Sequence, residues 1–495
     1  MAKKQKTFKP KARVPRGFRD MAGTELALQQ HMIATISDVY QSYGFDALDT
    51  SAFEYADALG KFLPDADRPN EGVFALEDDD KQWLSLRYDL TAPLARYVAE
   101  HYDALPKPFR RFQWGPVWRN EKPGPGRYRQ FLQIDADTVG AGNMGADAEI
   151  CMMAADCMAA LGIDEGDYLV RINNRKIMDG LLQRIGLTTE QADYEARRMT
   201  ILRAVDKYDR LGLAGVRDLL GAGRRDESGD FTAGAGLDEA QIKAVIGLVS
   251  AQGASRPEML DALEAQIGDT ASGASGIAEL RDMDALFTRL GYGVERLCID
   301  PTIVRGLGYY TGPVYEIDLT FDTQDSDGTV TRFGSVGGGG RYDDLIKRFK
   351  GLEIPATGIS IGVSRLAAAL ALLGQADASA VQPLVVVLVM DKQTRPELAA
   401  LVQGLRAAGV RAELYMGDSA MKAQLRYADA RKARFVLIEG EDERAKGVVT
   451  VKDLELGKQK SAEIEDNAEW RASSHAQYEV KKNEISETIL RLLSE

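Results

Sequence analysis

The stretch VWRNEKPGPGRYRQFLQIDAD, residues 117 to 137, places arginines and acids around one aromatic ring. A purine stacks well between a ring such as that of Phe131 and a guanidinium group, and Arg119 could hold a phosphate with two parallel hydrogen bonds. These residue types indicate ATP as a candidate ligand. A polar strand face turned to solvent would give the same alternation, and the residues alone do not exclude it. Because side chains two apart on a strand share a face, that face would carry Arg127, Arg129, Phe131, Gln133, Asp135 and Asp137.

A second arginine stands directly before another predicted strand. Arg305 begins RGLGYYTGPVYEI, in which Tyr315 and Ile317 would share one face and Val314 and Glu316 the other. An arginine at the mouth of such a strand, followed by two glycines and two tyrosines, indicates that a ligand is bound there.

A third arginine and a glycine run lie further along the chain. Arg365 begins a predicted helix after the apolar strand of GISIGV, and an ion pair with an acid is its structural alternative. GSVGGGG, residues 334–340, would let a ligand approach the backbone closely. Its spacing matches neither the dinucleotide fingerprint nor the P-loop, and a bulged turn between strands would also use glycine.

The elements that must position these residues follow from the periodicity. Residues 83–140 alternate like antiparallel strands, interrupted by the helical pattern TAPLARYVAEHY, which begins at Thr91. A long region of short helical segments follows, with almost no strand pattern, before the strands return. After a linker of small residues, strand and helix patterns alternate in a compact α/β unit. The predicted fold class is α+β, an antiparallel sheet flanked by helices, with a first sheet part at 1–173, a helical insertion at 174–290, a second sheet part at 291–371, a linker at 372–382 and the α/β unit at 383–495.

The composition is that of a globular protein. At 495 residues the chain should form about three domains, and no run approaches the roughly 18 apolar residues of a membrane helix. The basic start MAKKQKTFKPKAR has no apolar signal region, so a cytoplasmic location is expected, with a solvated tail as the simplest role for this stretch. The net charge of −13 argues against a surface that binds nucleic acid everywhere. The cysteines and histidines show no metal-ligand spacing, so no metal site built from protein side chains is expected.

Five segments occur in a characteristic order: LSLRYDLTAPLARY, FRRFQWGPVWRNEKPGPGRYRQFLQIDADTVG, IVRGLGYYTGPVYEI, GGGGRYDDL and GISIGVSRL. In this order they resemble the motifs of histidyl-tRNA synthetases. Arg119 with Glu121, and Arg365, match motifs that class II synthetases share, whereas RGLGYYTG and GGGGRYDDL are peculiar to the histidine enzymes. The last domain is similar to the anticodon-binding domain of that subclass. The resemblance implies the class II synthetase sheet with a helical insertion and a C-terminal α/β anticodon-binding domain.

The resemblance implies that the chain activates histidine with ATP to histidyl-adenylate and pyrophosphate, then transfers histidine to the 3′ end of tRNA(His). The histidine carboxylate is already ionised, so its attack on the α-phosphate needs alignment and charge compensation rather than a base. Arg119 would hold the α-phosphate, Arg305 would approach it from the amino-acid side, and Arg365 would hold the γ-phosphate. Mg²⁺ would neutralise the pyrophosphate. The implied ATP contacts are Arg119, Glu121, Arg127, Phe131 and Arg365.

Selection of histidine requires buried polar partners for both ring nitrogens. The resemblance places Tyr310 and Asp137 against them, with Tyr309 beside the pocket. As alternatives, the two tyrosines could be ordinary strand aromatics and Thr91 could simply cap its helix. The side chains expected around the α-amino group are Asp89, Thr91 and Gln133.

A basic cluster near the second helix of the last domain would attract RNA phosphates, with a solvated helix face as the alternative. The members of this basic cluster are Lys422, Arg426, Arg431, Lys432 and Arg434.

The resemblance further implies a homodimer.

Two positions depart from the family pattern. Gly308 stands where an acid is common, and Ser364 stands where glutamate is common. A second hypothesis is a non-catalytic histidine-binding paralogue that regulates an enzyme of histidine biosynthesis. Such paralogues usually lack the anticodon domain and the catalytic arginines, whereas this chain retains both.

Overall fold

The structure is a computed structural model that describes residues 10–58, 72–124, 127–225, 229–304, 309–324, 330–372, 383–463 and 476–494. The chain divides into two compact units, Met1–Ala376 and Asp377–Glu495. The residues predicted to bind nucleotide and histidine belong to the first unit, and the basic cluster belongs to the second.

The first unit contains runs of strands and runs of helices. Its strands within the described residues are β1 (Asp46–Ala47), β2 (Phe53–Tyr55), β3 (Ala75–Glu77), β4 (Trp83–Leu86), β5 (Phe109–Trp118), β6 (Gln130–Val139), β7 (Tyr168–Asn174), β8 (Gly223–Arg225), β9 (Phe231–Ala233), β10 (Leu297–Ile299), β11 (Pro313–Gln324), β12 (Val330–Arg341) and β13 (Ala356–Ile361). Its helices there are α1 (Thr24–Ser42), α2 (Thr91–His101), α3 (Met144–Ala160), α4 (Arg175–Arg184), α5 (Tyr194–Val205), α6 (Tyr208–Leu220), α7 (Glu239–Val249), α8 (Arg256–Ile267), α9 (Ala271–Arg289), α10 (Lys347–Lys350) and α11 (Val363–Leu372).

An eight-stranded sheet forms the centre of this unit, in the order β1-β5-β6-β13-β12-β11-β7-β10. Every pair from β5 to β7 is antiparallel, and the edge strands β1 and β10 pair in parallel with their neighbours. Helices α1, α3 and α11 contribute to the large apolar core on one face. The predicted α+β architecture, an antiparallel sheet flanked by helices, is confirmed.

Strand β11 shows how alternation separates the two faces of the sheet. Tyr315 and Ile317 are buried in the core with α1, α3 and α11, whereas Val314 packs with α2 in a smaller core. Glu316 lies on the same face as Val314 and is half-buried. The predicted division of these side chains between two faces is confirmed, and it leaves the face of Glu316 for the site.

The four consecutive glycines lie inside β12, at residues 337–340. Gly338 is paired with Glu316 on β11 and with Ser360 on β13, so the alternative of a turn between strands is wrong. One irregularity in the β11–β12 register falls just before this run. Because glycines have no side chains, β12 leaves the sheet surface open beside Glu316.

Residues 174–290 contain helices α4 to α9 and a two-stranded ribbon of β8 and β9. The ribbon lies in a region where the sequence shows almost no strand pattern. Helix α9 packs against α3 as well as α4, and the apolar residues of this segment belong to the same core as those under the sheet. The boundaries proposed for an insertion domain stay a prediction.

The second unit is a separate α/β domain, as predicted. Its sheet has the order β15-β14-β16-β17-β18, parallel between β15, β14 and β16 and antiparallel beyond. Among the described helices of either unit, none combines the length and apolar character needed to span a lipid bilayer. The strands and helices of the second unit are β14 (Val385–Val387), α12 (Arg395–Ala407), β15 (Ala412–Leu414), α13 (Met421–Ala430), β16 (Phe435–Ile438), α14 (Glu441–Lys446), β17 (Val448–Asp453), α15 (Leu454–Glu463), β18 (Gln477–Lys481) and α16 (Ile485–Ser494).

Candidate active site

A cavity of about 660 Å³ opens on the face of the sheet that carries Glu316. It brings together side chains that are far apart in the sequence and come from β6, β11, α2, α11 and the loops between them. Most of the residues predicted for the site line this one cavity, namely Asp89, Thr91, Arg119, Arg127, Gln133, Tyr309, Tyr310 and Arg365.

Strand β6 supplies the buried floor of this region. Gln133, Asp135 and Asp137 are all buried, so the alternative of a polar strand face turned to solvent is wrong. The strand begins at Gln130, so Arg127 and Arg129 precede it and do not share its face as predicted. Arg127 nevertheless reaches the cavity wall from the preceding loop. Arg129 donates from Nε to the backbone oxygen of Glu121 at 3.0 Å.

Asp137 lines a small recess next to the cavity, together with Tyr309 and Tyr310. The hydroxyl of Tyr342 donates a hydrogen bond to Oδ1 of Asp137, and Nη2 of Arg111 lies 2.8 Å from Oδ2. Burial raises the pKa of Asp137, while Arg111 and Tyr342 act in the opposite direction. Two buried side chains therefore fix the orientation of this carboxylate, which can accept a hydrogen bond from a ring N–H.

Asp89 has a structural role that the sequence pattern did not indicate. Its Oδ1 accepts hydrogen bonds from the backbone N–H groups of Thr91 and Ala92, at 3.2 and 2.9 Å. Asp89 thus satisfies the free N–H groups at the start of α2. Thr91 is the first residue of that helix and Leu90 occupies the cap position, with no side-chain capping hydrogen bond in the part of the chain that the structure describes, so the alternative of Thr91 as a cap is wrong. Burial raises the pKa of Asp89, whereas these backbone N–H groups and Arg119 lower it.

The side chain of Gln133 has unused hydrogen-bonding capacity. It is buried on β6 and lines the cavity. Its Oε1 has no hydrogen-bond partner within the part of the chain that the structure describes. A buried carbonyl oxygen without a partner is costly, so a donor group in the cavity would be bound favourably there.

The guanidinium of Arg119 lies between two aromatic rings. Its Cζ is 4.5 Å from the centroid of the Tyr88 ring and 5.0 Å from that of Phe131. The Tyr88 hydroxyl in turn donates to Oε1 of Glu121 at 2.9 Å. Phe131 and Glu121 are not among the residues that line the cavity, and each touches one that is. The two rings restrict where Arg119 can point and leave its charge available to an anion.

Arg365 and Arg127 bring two positive charges to the cavity wall. Burial and the charge of Arg127 lower the pKa of Arg365, and Glu316 and Asp318 partly offset them. Arg365 also donates from Nη2 to the backbone oxygen of Phe333. Two guanidinium groups that repel each other in one cavity are stabilised by an anion such as a polyphosphate.

Residues 305–308 lie outside the described residues, and so do the predicted contact Arg305 and the departure at Gly308. The other departure is described: Ser364 Oγ accepts a hydrogen bond from the backbone N–H of Leu132 at 3.0 Å. Ser364 thereby joins α11 to β6, between Phe131 and Gln133.

Sequence reasoning missed several residues of the site. Tyr88 and Tyr342 lie within the quoted motifs, beside predicted site residues, and only their contacts in the structure reveal their roles. Asp206 and Tyr208 come from the α5–α6 junction and also line the cavity. No local sequence signal marks these two, because their position depends on how the helical segment packs against the sheet.

The basic cluster of the second unit is less uniform than its sequence suggests. Arg431 pairs with Glu413 at 3.1 Å, and Arg434 pairs with Asp453, also at 3.1 Å. The other members are exposed and have no ion pair among the described residues: Lys422, Arg426 and Lys432. They are the side chains best placed to attract phosphates from solution.

Comparison with known proteins shows which families the chain resembles. The family described as "Histidyl-tRNA synthetase" matches residues 17–366, and the family described as "Anticodon binding domain" matches residues 384–491. A protein of Brucella ovis named "Histidine--tRNA ligase" is 56% identical over 490 residues, which cover 99% of this chain and 97% of that protein. A protein of the same name from Bartonella bacilliformis is 53% identical and covers 100% and 99%.

A solved structure gives the same result for the fold. The crystal structure of histidyl-tRNA synthetase from Nostoc sp. PCC 7120 superposes with a TM-score of 0.75 at 29% identity, and the match covers 98% of this chain and 100% of that one. Sequence and structure relatives thus extend over both units. This chain belongs to the histidyl-tRNA synthetase family.

Proposed function

We propose that the chain activates histidine with ATP, giving histidyl-adenylate and pyrophosphate, and then transfers the histidyl group to the 3′ end of tRNA(His). The observation that carries this proposal is a cavity with a wall of Arg119, Arg127 and Arg365, next to a recess lined by Asp137 and Tyr310. A polar recess beside a wall of positive charge fits a reaction between histidine and ATP.

In the activation step an oxygen of the histidine carboxylate forms a bond to the α-phosphorus, and the bond from that phosphorus to the bridging oxygen breaks. The nucleophile needs no base, so the protein contributes alignment and positive charge. Arg119, fixed between two rings, would hold the α-phosphate, and Arg127 and Arg365 would hold the leaving pyrophosphate. Arg305 is proposed as a further α-phosphate contact on the resemblance alone.

Histidine would be selected by the polar groups of the recess. Asp137, held by Arg111 and Tyr342, would accept from one ring nitrogen, and the Tyr310 hydroxyl would contact the other. A wrong amino acid would leave these groups unpaired. The proposed contacts to the ammonium group are Asp89, Thr91 and Gln133, with Tyr309 beside the ring.

The nucleotide would carry Mg²⁺, which proteins usually hold through phosphates and one or two carboxylates. Among the described residues, no three acidic, histidine or cysteine side chains converge as a metal site. Glu316 presents one carboxylate on the cavity wall, near Arg365. These residues fit an ion held mainly by phosphates, and when bound it would supply further charge neutralisation of the pyrophosphate.

Phe131 and Glu121 are proposed to contact the adenine.

The remaining parts of the proposal rest on the family. The second unit would bind the anticodon through its exposed basic side chains, the chain would form a homodimer, and it would act in the cytoplasm. Light scattering of the purified protein tests the dimer, and cell fractionation tests the location.

Amino-acid-dependent exchange of pyrophosphate into ATP tests the activity. Exchange with histidine, and with none of the other amino acids, is the expected result. A regulatory paralogue would bind histidine without exchange, so histidine binding with no exchange would overturn the proposal. Charging of tRNA(His) in the same preparation tests the transfer step.

A further inference from the structure

Asp135 is a buried acid that the proposed reaction does not use. It lies on β6 between Gln133 and Asp137, on the same face, and is only 1% exposed. Across the sheet it is opposite Gln113 on β5 and Ser360 on β13. It therefore lies beneath the proposed histidine site, between two of its contacts, without reaching the cavity itself.

The carboxylate of Asp135 is poorly satisfied. Within the described residues, neither of its oxygens meets ordinary hydrogen-bond geometry with any group, although the Ser360 hydroxyl is near enough to favour the ionised form. The side-chain amide of Gln113 does not donate a hydrogen bond to Asp135, because its Nε2 donates to the side chains of Asp49 at 3.1 Å and Thr50 at 3.0 Å. A purely structural buried aspartate would be expected to have hydrogen-bond partners.

The groups around Asp135 act in opposite directions on its pKa, so the free energies of its protonated and ionised forms are close. Burial and the charge of Asp137 raise the pKa of Asp135 to about 8, against the opposing effects of Arg111 and Ser360. Asp89 acts in the same direction as Asp137. The charged and titratable groups that face it from the neighbouring elements are Tyr40 on α1, Arg87 and Asp89 before α2, Arg111 on β5, Asp137 on β6 and Tyr342 after β12.

We propose that Asp135 is a positioning residue that holds a proton in the empty site and releases it when the ammonium group of histidine binds. On binding, the O–H bond of the Asp135 carboxyl breaks, its proton passes to solvent, and the carboxylate that remains balances the new cation. This inference rests on the proposed function, in which the ammonium group lies near Asp89 and Gln133.

The consequence is a coupling between pH and histidine affinity. A bound cation lowers the pKa of a nearby carboxyl, so binding releases protons at any pH between the lowered value and about 8. Histidine affinity then rises with pH in that window, by up to about tenfold per pH unit, and becomes flat above it. At a pH near or below about 8 the carboxyl of Asp135 is protonated in a large fraction of the empty sites, so binding releases up to one proton per site.

Titration calorimetry of the whole protein with histidine tests this, in buffers of different ionisation enthalpy at pH 7.5. The wild type should release more protons than Asp135→Asn, by a measurable fraction of a proton and by at most one. The titration of histidine itself is common to both proteins and cancels in the difference. Thr138→Val is the matched control, because Thr138 is buried on the other face of the same strand and its hydroxyl has no hydrogen-bond partner among the described residues.

Equal proton release in the wild type and in a folded Asp135→Asn variant would overturn the inference. Asp135→Ala replaces the variant if circular dichroism shows that Asp135→Asn does not fold. If histidine does not bind the wild type at all, the proposed function fails instead, so the two failures are distinguishable.

Discussion

Gly358 lies opposite Asp137 across the β6–β13 pair, and a Cβ atom on Gly358 would come within 2.0 Å of Oδ1 of Asp137. Any side chain at this position would therefore displace the carboxylate that the recess presents. The position and the acid form one functional unit, although they are distant in the sequence.

Gly358→Ala is expected to weaken histidine binding and leave ATP binding nearly unchanged. Displacing the Asp137 carboxylate removes its hydrogen bond to histidine, and a hydrogen bond to a charged group contributes about 1.5 to 3 kcal/mol, which corresponds to a rise in KM for histidine of about 10- to 150-fold. Pyrophosphate exchange with each substrate varied in turn measures both values. Gly404→Ala on α12 is the control, because within the described residues its added methyl group would meet no atom closer than 4 Å apart from its own chain neighbours and helix backbone. An unchanged KM for histidine would show that Asp137 is not a contact.

Tyr342→Phe removes the hydroxyl that donates to Asp137. A hydrogen bond to a charged group contributes about 1.5 to 3 kcal/mol, so KM for histidine should rise by up to about 10- to 150-fold. The loss also raises the pKa of Asp137, because the hydroxyl favours the ionised form, so the defect should be larger at low pH. Tyr40→Phe serves for comparison, since its buried hydroxyl has no hydrogen-bond partner among the described residues. Equal effects of the two changes would contradict the assignment.

Arg365→Gln should impair the use of ATP and spare the binding of histidine. Removing a group that stabilises charge in the transition state typically costs 10²- to 10³-fold in rate, as an order-of-magnitude estimate. Pyrophosphate exchange reports the loss, and calorimetry with histidine alone should give the wild-type affinity. The exposed Arg348, whose guanidinium lies over the Phe349 ring at 5.6 Å, provides the control Arg348→Gln. A variant that loses histidine binding as well would indicate a structural role for Arg365.

In the second unit, Lys422→Gln with Arg426→Gln should weaken tRNA(His) charging and leave pyrophosphate exchange intact. Each lost phosphate contact should lower the slope of log affinity against log salt by about 0.7 to 0.9. Arg431→Gln should have a smaller effect, because Arg431 is already paired with Glu413. If all three changes have equal effects, ion pairing within the unit does not decide which side chains meet the RNA.

Periodicity predicted which residues share a face of the sheet, but not where each strand begins or what it faces. The strand period of two correctly predicts that Gln133 and Asp137 share one face. The prediction that Arg127 shares this face is wrong, because β6 begins only at Gln130. Arg111 contacts Asp137 because β5 and β6 pair in one particular register, which no local pattern specifies.

The helical segment shows a different limit. Its helices follow from their own periodicity, yet Asp206 and Tyr208 reach the cavity only because the α5–α6 junction packs toward the sheet. Tertiary packing of this kind leaves no trace in a short window of sequence. The motif resemblance identified the family and several of the residues that line the cavity, whereas the residues that hold those contacts in place required the three-dimensional structure.

The glycines of the sheet surface also limit how the site can change during evolution. At Gly340 a Cβ atom would lie 2.8 Å from the Tyr310 ring, and Gly358 is constrained in the same way by its acidic neighbour. Every substitution adds at least that one carbon, so no small first step toward a different amino-acid preference is open at either position. A new preference would have to arise at the side chains that border the recess, while these two positions stay fixed.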